Sequence, residues 1–232
     1  MGSPFVRSIV RGQYVFPRVF RWQLNAFLTR QYHPAKLANL LNDPAQLTGQ
    51  FAVTFDDGYT SMARLACPIL LEMRIPATLF IVVEGIGKTN VWDQREGDCV
   101  ETMCTAAELR ELAEQGFEIG SHSMNHPRLT RLTDAELRTE IFDSKKALED
   151  LLGRPVLSFS YPYGEQDARV RQVVAEAGYT YATATTLNAV TSVTDPLAVP
   201  RVNMRWNTLG PELAGKLRRA YQAAEGIGDA HT

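Results

Sequence analysis

The sequence predicts an α/β protein built on a parallel sheet. Three observations carry that expectation. Short apolar segments alternate with capped, amphipathic helical ones in steps of about 30 residues. The short segments are apolar on both faces, as a sheet covered on both sides requires. The chain has 232 residues, 45% hydrophobic and 22% charged, enough apolar material for one large domain or two small ones. An open doubly wound sheet and a closed barrel both fit. In either, function collects at the carboxyl ends of the strands.

The elements follow in order. Residues 1–50 read as an amino-terminal extension whose amphipathic helix, in VFRWQLNAFLTRQY (19–32), packs on the main unit, 51–232, the two forming one structural unit. FAVTF (51–55) is a short buried strand, and 60–73 is helical in pattern with a kink at Pro68. ATLFIVV (77–83) is the next strand. Residues 84–103, rich in Gly, Asp and Trp, read as a loop over one face. Thr105 and Glu108 form a capping box for a helix that Gly116 stops. FEIGS (117–121) is a strand. Thr133 and Glu136 form a second capping box, opening a long helix that Gly153 and Pro155 end. VLSFS (156–160) is a strand, 167–177 a helix stopped by Gly178, and YTYATA (179–184) and LAVPRV (197–202) two further strands. A last helix, PELAGKLRRAYQAAE, begins at Pro211.

Charge and composition exclude little but weigh against some classes. A net charge of -2 makes no electrostatic case for nucleic acid. Arg7, Arg11, Arg18 and Arg21 occur without an intervening acid, as a solvated face or a contact with an anionic surface. No apolar run approaches the roughly 18 residues that span a bilayer. The start, MGSPFVRSIVRGQYVF, has no apolar signal core and no small-residue cleavage site, so the chain as written reads as cytoplasmic. A removed signal, or a late start, would look the same and leave an extracytoplasmic location open. Cys67, Cys99 and Cys104 are too few for a disulfide scaffold, and no second pair makes a structural zinc site with Cys99 and Cys104.

Three predicted strand ends carry unusual residues. Strand 51–55 runs into Asp56, Asp57 and Gly58; strand 117–121 into His122 and His126; strand 156–160 into YPYG. Parallel neighbours would bring these loops to one rim. Taken singly, D-D-G is a turn and H-x-x-x-H a surface or capping pattern. Together they suit a divalent metal: two neutral imidazoles and one carboxylate form a facial ligand set with open positions. A cation also relieves the repulsion between adjacent carboxylates. Neighbouring side chains on extended backbone diverge, so one Asp would ligate and the other stand ionised nearby.

These residues resemble the polysaccharide deacetylases of the NodB-homology type, carbohydrate esterase family 4. TFDDGY, SHSMNHP and FSYPYG carry the resemblance, with PATLFIV, ELAEQGFEIGSHS and SKKALEDLLG between them. It runs from about residue 20 to about residue 205. It implies a distorted, incomplete (β/α) barrel and one divalent ion, usually zinc, with cobalt or nickel as substitutes. It also implies that Asp57, His122 and His126 ligate the metal, that Asp56 is the catalytic base, and that the Tyr163 backbone N–H helps hold the oxyanion. Pro162 and Gly164 would shape that turn, with Pro162 and Tyr163 against the substrate. Trp92, Asp93 and Trp206 are candidates for contact with sugar rings, against ordinary packing.

The chain departs from the family pattern at three places. Where many members have an Arg in the third motif, it has Ser160; Arg201, in VPRVNM, is expected to replace that Arg as the partner of Asp56. The late L-x-H whose His protonates the leaving group is missing, since no histidine lies between His126 and His231. His33 is one substitute donor, and Asp56 passing on its own proton is another. The family's early His-containing strand is also not recognisable, unless VRSIVRGQYV (6–15) replaces it.

The leading expectation is a metal-dependent hydrolase that removes acetyl groups from N-acetylated amino-sugar glycans. The same site could instead take O-acetyl esters or another small amide, with loop 84–104 deciding. A degenerate member that binds glycan without turnover is the third reading, favoured by the missing histidine and opposed by the intact Asp56, Asp57, His122 and His126.

Overall fold

The computed structural model describes residues 14–42, 49–95, 97 and 99–228. Five parallel strands form the main sheet in sequential order: β3 (Val53–Phe55), β4 (Ala77–Ile81), β5 (Glu118–Ser121), β6 (Ser158–Ser160) and β7 (Tyr181–Thr183). The sheet curls into a half barrel. Two short strands precede it and pair in parallel, β1 (His33–Pro34) with β2 (Gln50–Phe51).

Helices cover the outer face. α1 (Pro17–Leu28) starts with a proline whose missing N–H needs no partner there. It buries Phe20 and Leu24, sets Phe20 edge-on to Phe55 at 5.7 Å, and reaches the far end of the chain where Gln23 Nε2 donates to the Arg205 carbonyl at 2.8 Å. α2 (Leu37–Asn42) sends Leu37 to the inner face, beside Phe80, Tyr181 and Val199. α3 (Cys67–Met73) and the short α4 (Val91–Arg95) lie on either side of β4 in the chain. α5 (Ala106–Glu114) and α6 (Asp134–Arg138) both open with complete capping boxes, Thr105 with Glu108 and Thr133 with Glu136. α6 runs on through a π-helical turn, Thr139–Asp143, into α7 (Ser144–Leu152), which Gly153 ends in the left-handed conformation. α8 (Ala168–Glu176) is capped by Asp167, and α9 (Gly210–Gly228) follows the last strand segment. The main core fills the space between sheet and helices, around Leu70, Leu79, Leu109, Ile141, Leu148, Phe159 and Val174.

Three expectations change in detail. FAVTF divides at Ala52 into β2 and β3, which belong to different sheets. The kink at Pro68 is a π-helical turn, Met62–Ala66, ahead of α3. Proline offers no N–H to the residue four back and crowds its carbonyl, so the turn before it widens. LAVPRV is not a full strand: a single parallel bridge joins Val199 to Thr183. Val199 and Arg201 still donate backbone N–H groups to Ala182 and Thr186, while Pro200 between them has none to give. The proposed strand at 6–15 and His231 lie outside the described residues, apart from Tyr14 and Val15. Among the described residues no helix is long and apolar enough to cross a membrane.

Candidate active site at the strand ends

The three loops after β3, β5 and β6 meet at one rim. Asp57 Oδ1 lies 3.5 Å from His122 Nε2 and 3.4 Å from His126 Nε2. One ligand atom from each of the three residues falls within 4.8 Å of the others. The backbone is bent to achieve this. Asp57, Ser123, His126 and Tyr163 all have φ between 60° and 73°, which puts four of the six described non-glycine residues with positive φ at this rim. Such conformations are uncommon for residues with a Cβ and persist where the surroundings enforce them.

The two imidazoles are held neutral. Burial pushes the His122 pKa down, and it pushes that of His126 down to about 2, with His122 adding to the effect. His122 Nδ1 lies 2.7 Å from the Ser160 carbonyl, an acceptor only. The proton therefore sits on Nδ1, and the Nε2 lone pair faces Asp57. Burial raises the Asp57 pKa well above its ordinary value, and the charges of Asp56 and Asp93 raise it further.

Asp56 is treated in the opposite way. Burial alone would raise its pKa, but the Arg201 guanidinium, with help from Ser160, holds it below the usual carboxylate range. Arg201 Nη1 and Nη2 grip the two carboxylate oxygens at 2.7 and 2.8 Å. The other three N–H groups go to Ala184 O, Thr54 Oγ1 and Ser160 Oγ, so all five donors are used. Arg201 thus links the segment after β7 to β3 and bridges the open side of the curled sheet. Ser160 Oγ completes the set by donating to Asp56 Oδ1 at 3.3 Å.

The walls of the site come from the neighbouring loops. Tyr163, in the turn Pro162–Gly164, sets its ring 4.7 Å from that of His126. Arg128 lies over that ring, 4.1 Å from its centre, and pairs with Glu165. Gly164 has φ +72°, and a Cβ there would lie 1.9 Å from Thr185 Oγ1, so the turn admits only glycine. Trp92 stands 5.2 Å from the His126 ring. It is 8% exposed, packed on Val82, Met103 and Gly85, so the expected open face for a sugar is corrected: Trp92 is a wall behind His126. Asp93 accepts from the Tyr59 hydroxyl and from Asn90 Nδ2 at 3.1 Å. Trp206 is half exposed.

His33 is removed from the rim. It pairs with Gln50 in the separate β1–β2 sheet, and Gln50 lies six residues before Asp56 in the chain. Two residues went unnoticed in the sequence. Thr54 holds Arg201, and Glu140 accepts three bonds from the loop between the histidines. Glu140 had a readable signal: it is an acid on the helix stripe shared with Leu137, Ile141 and Ser144.

A family model described as polysaccharide deacetylase matches residues 46–182, more than half of the chain. The chain belongs to the polysaccharide deacetylase family. It is 27% identical over 169 residues to the Bacillus subtilis protein YxkH, which is named for the same family, covering 73% of this chain and 54% of that protein. It is 27% identical over 159 residues to a poly-beta-1,6-N-acetyl-D-glucosamine N-deacetylase of Staphylococcus aureus, covering 65% and 52%. It is 31% identical over 130 residues to chitin deacetylase 1 of Cryptococcus neoformans, covering 56% and 24%. The chain thus spans about half the length, or less, of these curated relatives. The fold recurs in a Streptococcus pyogenes deacetylase solved with acetate, with TM-score 0.74, 21% identity and 87% of each chain covered. It recurs again in IcaB from Ammonifex degensii, with TM-score 0.72, 23% identity, and 86% and 88% covered.

Proposed function

We propose that this protein is a metal-dependent hydrolase that removes acetyl groups from N-acetylated amino-sugar glycans. One observation carries the reading: Asp57 Oδ1, His122 Nε2 and His126 Nε2 converge from two loops, with the His122 Nε2 lone pair turned toward Asp57. Two neutral imidazoles and a carboxylate so placed fit a divalent cation, which would relieve their mutual repulsion, and the nitrogen-rich set suits zinc, with cobalt or nickel as substitutes. Such an ion, when bound, supplies Lewis-acid polarisation of the acetyl carbonyl and of water.

The chain's own groups supply the rest. Asp56, kept ionised by Arg201, accepts a proton from the water that attacks the acetyl carbon. Tyr163 offers its backbone N–H to the oxygen that gains charge, and the strained turn keeps that dipole in place. Asp56, now protonated, returns the proton to the departing nitrogen, which leaves as the free amine. Pro162 and Tyr163 border the acetyl end, and loop 84–104 sets which sugar fits. The named activities of the Staphylococcus and Cryptococcus relatives support a glycan substrate. The packing of α1 on Phe55 and its bond to Arg205 support residues 1–50 and 51–232 acting as one unit.

One observation favours a second substrate. Among the described residues no third histidine stands at the rim, and an alcohol leaves without prior protonation more readily than an amine does. O-acetyl esters on the same glycans are the second reading. The test begins with elemental analysis of the purified protein and of His126→Ala. Acetate release follows, from chito-oligosaccharides, from β-1,6-linked N-acetylglucosamine oligomers and from O-acetylated sugars. About one metal per chain, lost in the variant, with acetate from the amides, supports the first reading. Acetate from esters alone moves the assignment to the second. No metal after zinc is added sinks the site.

A further inference from the structure

The loop between the histidines is built against its own preferences. Ser123 and His126 both sit at positive φ, and the chain turns tightly between them. His126 N–H donates to Ser123 Oγ at 3.0 Å. From one side the backbone N–H groups of Val83 and Glu84 reach the Ser123 and Met124 carbonyls at 3.2 and 2.9 Å. From the other side comes a single carboxylate. Glu140 Oε2 accepts the N–H groups of Met124 at 3.0 Å and Asn125 at 2.9 Å, and Oε1 accepts Asn125 Nδ2 at 2.8 Å.

Glu140 is 8% exposed and sits in the π-helical turn Thr139–Asp143. A π turn carries one extra residue and shifts the side chains that follow around the axis. Here Glu140 and Ile141 are both buried, one toward the loop and the other in the core. The same helix reaches the start of the loop, where Ser144 Oγ lies 2.9 Å from Ser121 Oγ, next to His122. The loop is therefore held at its start and at its middle by one helix. The two amides have no carbonyl partner in this turn; without Glu140 they would lose their bonds while partly buried.

We propose that Glu140 is a positioning residue that holds the His122–His126 loop in its metal-ready shape, so that metal affinity depends on its three hydrogen bonds. The inference rests on the metal reading above. Groups of this kind, one step behind the ligands, typically change metal affinity 10–100-fold when removed.

The experiment is a zinc titration of the full chain against a chromophoric chelator, for the parent, Glu140→Leu and Glu140→Gln. Glu140→Leu keeps the bulk and removes the acceptors; its zinc affinity should fall about 10–100-fold. Glu140→Gln keeps one oxygen for both backbone amides, and the Asn125 amide can turn to meet its NH2. It should stay within about threefold of the parent. Deacetylation by Glu140→Leu should recover at saturating zinc, which a general loss of folding would not allow. Parent affinity in a folded Glu140→Leu overturns the proposal, as does a Glu140→Gln as weak as Glu140→Leu. Should Glu140→Leu not fold, hydrogen exchange in the metal-free parent decides. Strong protection of the Met124 and Asn125 amides supports the clamp, and exchange at exposed-loop rates overturns it. A parent that binds no zinc removes the metal reading itself, whereas a zinc-binding parent with an indifferent Glu140→Leu removes only this inference.

Discussion

The two ends of the sheet carry polar clusters of opposite kinds. At the amino-terminal end, Glu118 accepts from Ser158 Oγ at 2.6 Å, from Thr78 Oγ1 at 3.1 Å and from the Tyr181 hydroxyl. Every donor there has its acceptor. At the carboxyl-terminal rim, Asp57 Oδ1 faces two neutral imidazoles at 3.5 and 3.4 Å, and the buried Nδ1 of His126 has no hydrogen-bond partner among the described residues. Buried polar groups normally close their hydrogen bonds within the protein. A cluster that does so is part of the fold. One that leaves buried ring nitrogens unclosed beside a carboxylate, on strained backbone, fits the proposed cation. The same sheet thus separates stability from function along the strand direction.

That separation can be broken first at the rim. Replacing Asp56 with Asn should lower turnover about 10²–10⁴-fold while metal content stays near the parent's, because the base is lost and the ligands are not. Equal turnover in Asp56→Asn, measured as acetate release, would remove Asp56 from the chemistry. His126→Ala should instead lose the metal, as elemental analysis of the two variants side by side would show.

Arg201 tests the join between the two sides of the curled sheet. Its fork is bidentate and all its donors are used, so Arg201→Leu should destabilise by about 3–5 kcal/mol, leaving Asp56 partly buried and unpaired. Arg201→Lys keeps the charge but not the fork, and should fold while losing activity. Denaturant melts of both, set beside their rates, separate the structural share from the catalytic one.

Glu118 should behave as the mirror image. Glu118→Ala strands three donors, and a loss of about 2–3 kcal/mol is expected with zinc binding untouched. A marked loss of zinc affinity in that variant would contradict the division between the two ends. The smallest effect belongs to the periphery: Thr133→Ala removes the α6 capping box and should cost about 1 kcal/mol in a thermal or urea melt, with no change in metal or rate.

Much of this protein is readable in the chain alone. The caps at Thr105 and Thr133 and the stops at Gly116 and Gly153 act within a turn of helix, so they hold wherever the segment lies. The parallel alternation placed Asp56, Asp57, His122, His126 and Tyr163 at strand ends, because parallel strands bring their carboxyl ends to one side. Tertiary structure decided what depends on contacts across the sheet. Ala52 divides one apolar run between two sheets, and Trp92, which reads as a sugar platform, is covered by Val82 and Met103. The roles of Thr54 and Ser160 as partners of Arg201 could not be read from spacing, and the stripe that marks Glu140 as buried does not name the histidine loop as its partner. Local signals come from a few neighbouring residues. A hydrogen bond between Arg201 and Thr54 spans 147 positions, and only the curl of the sheet brings its ends together.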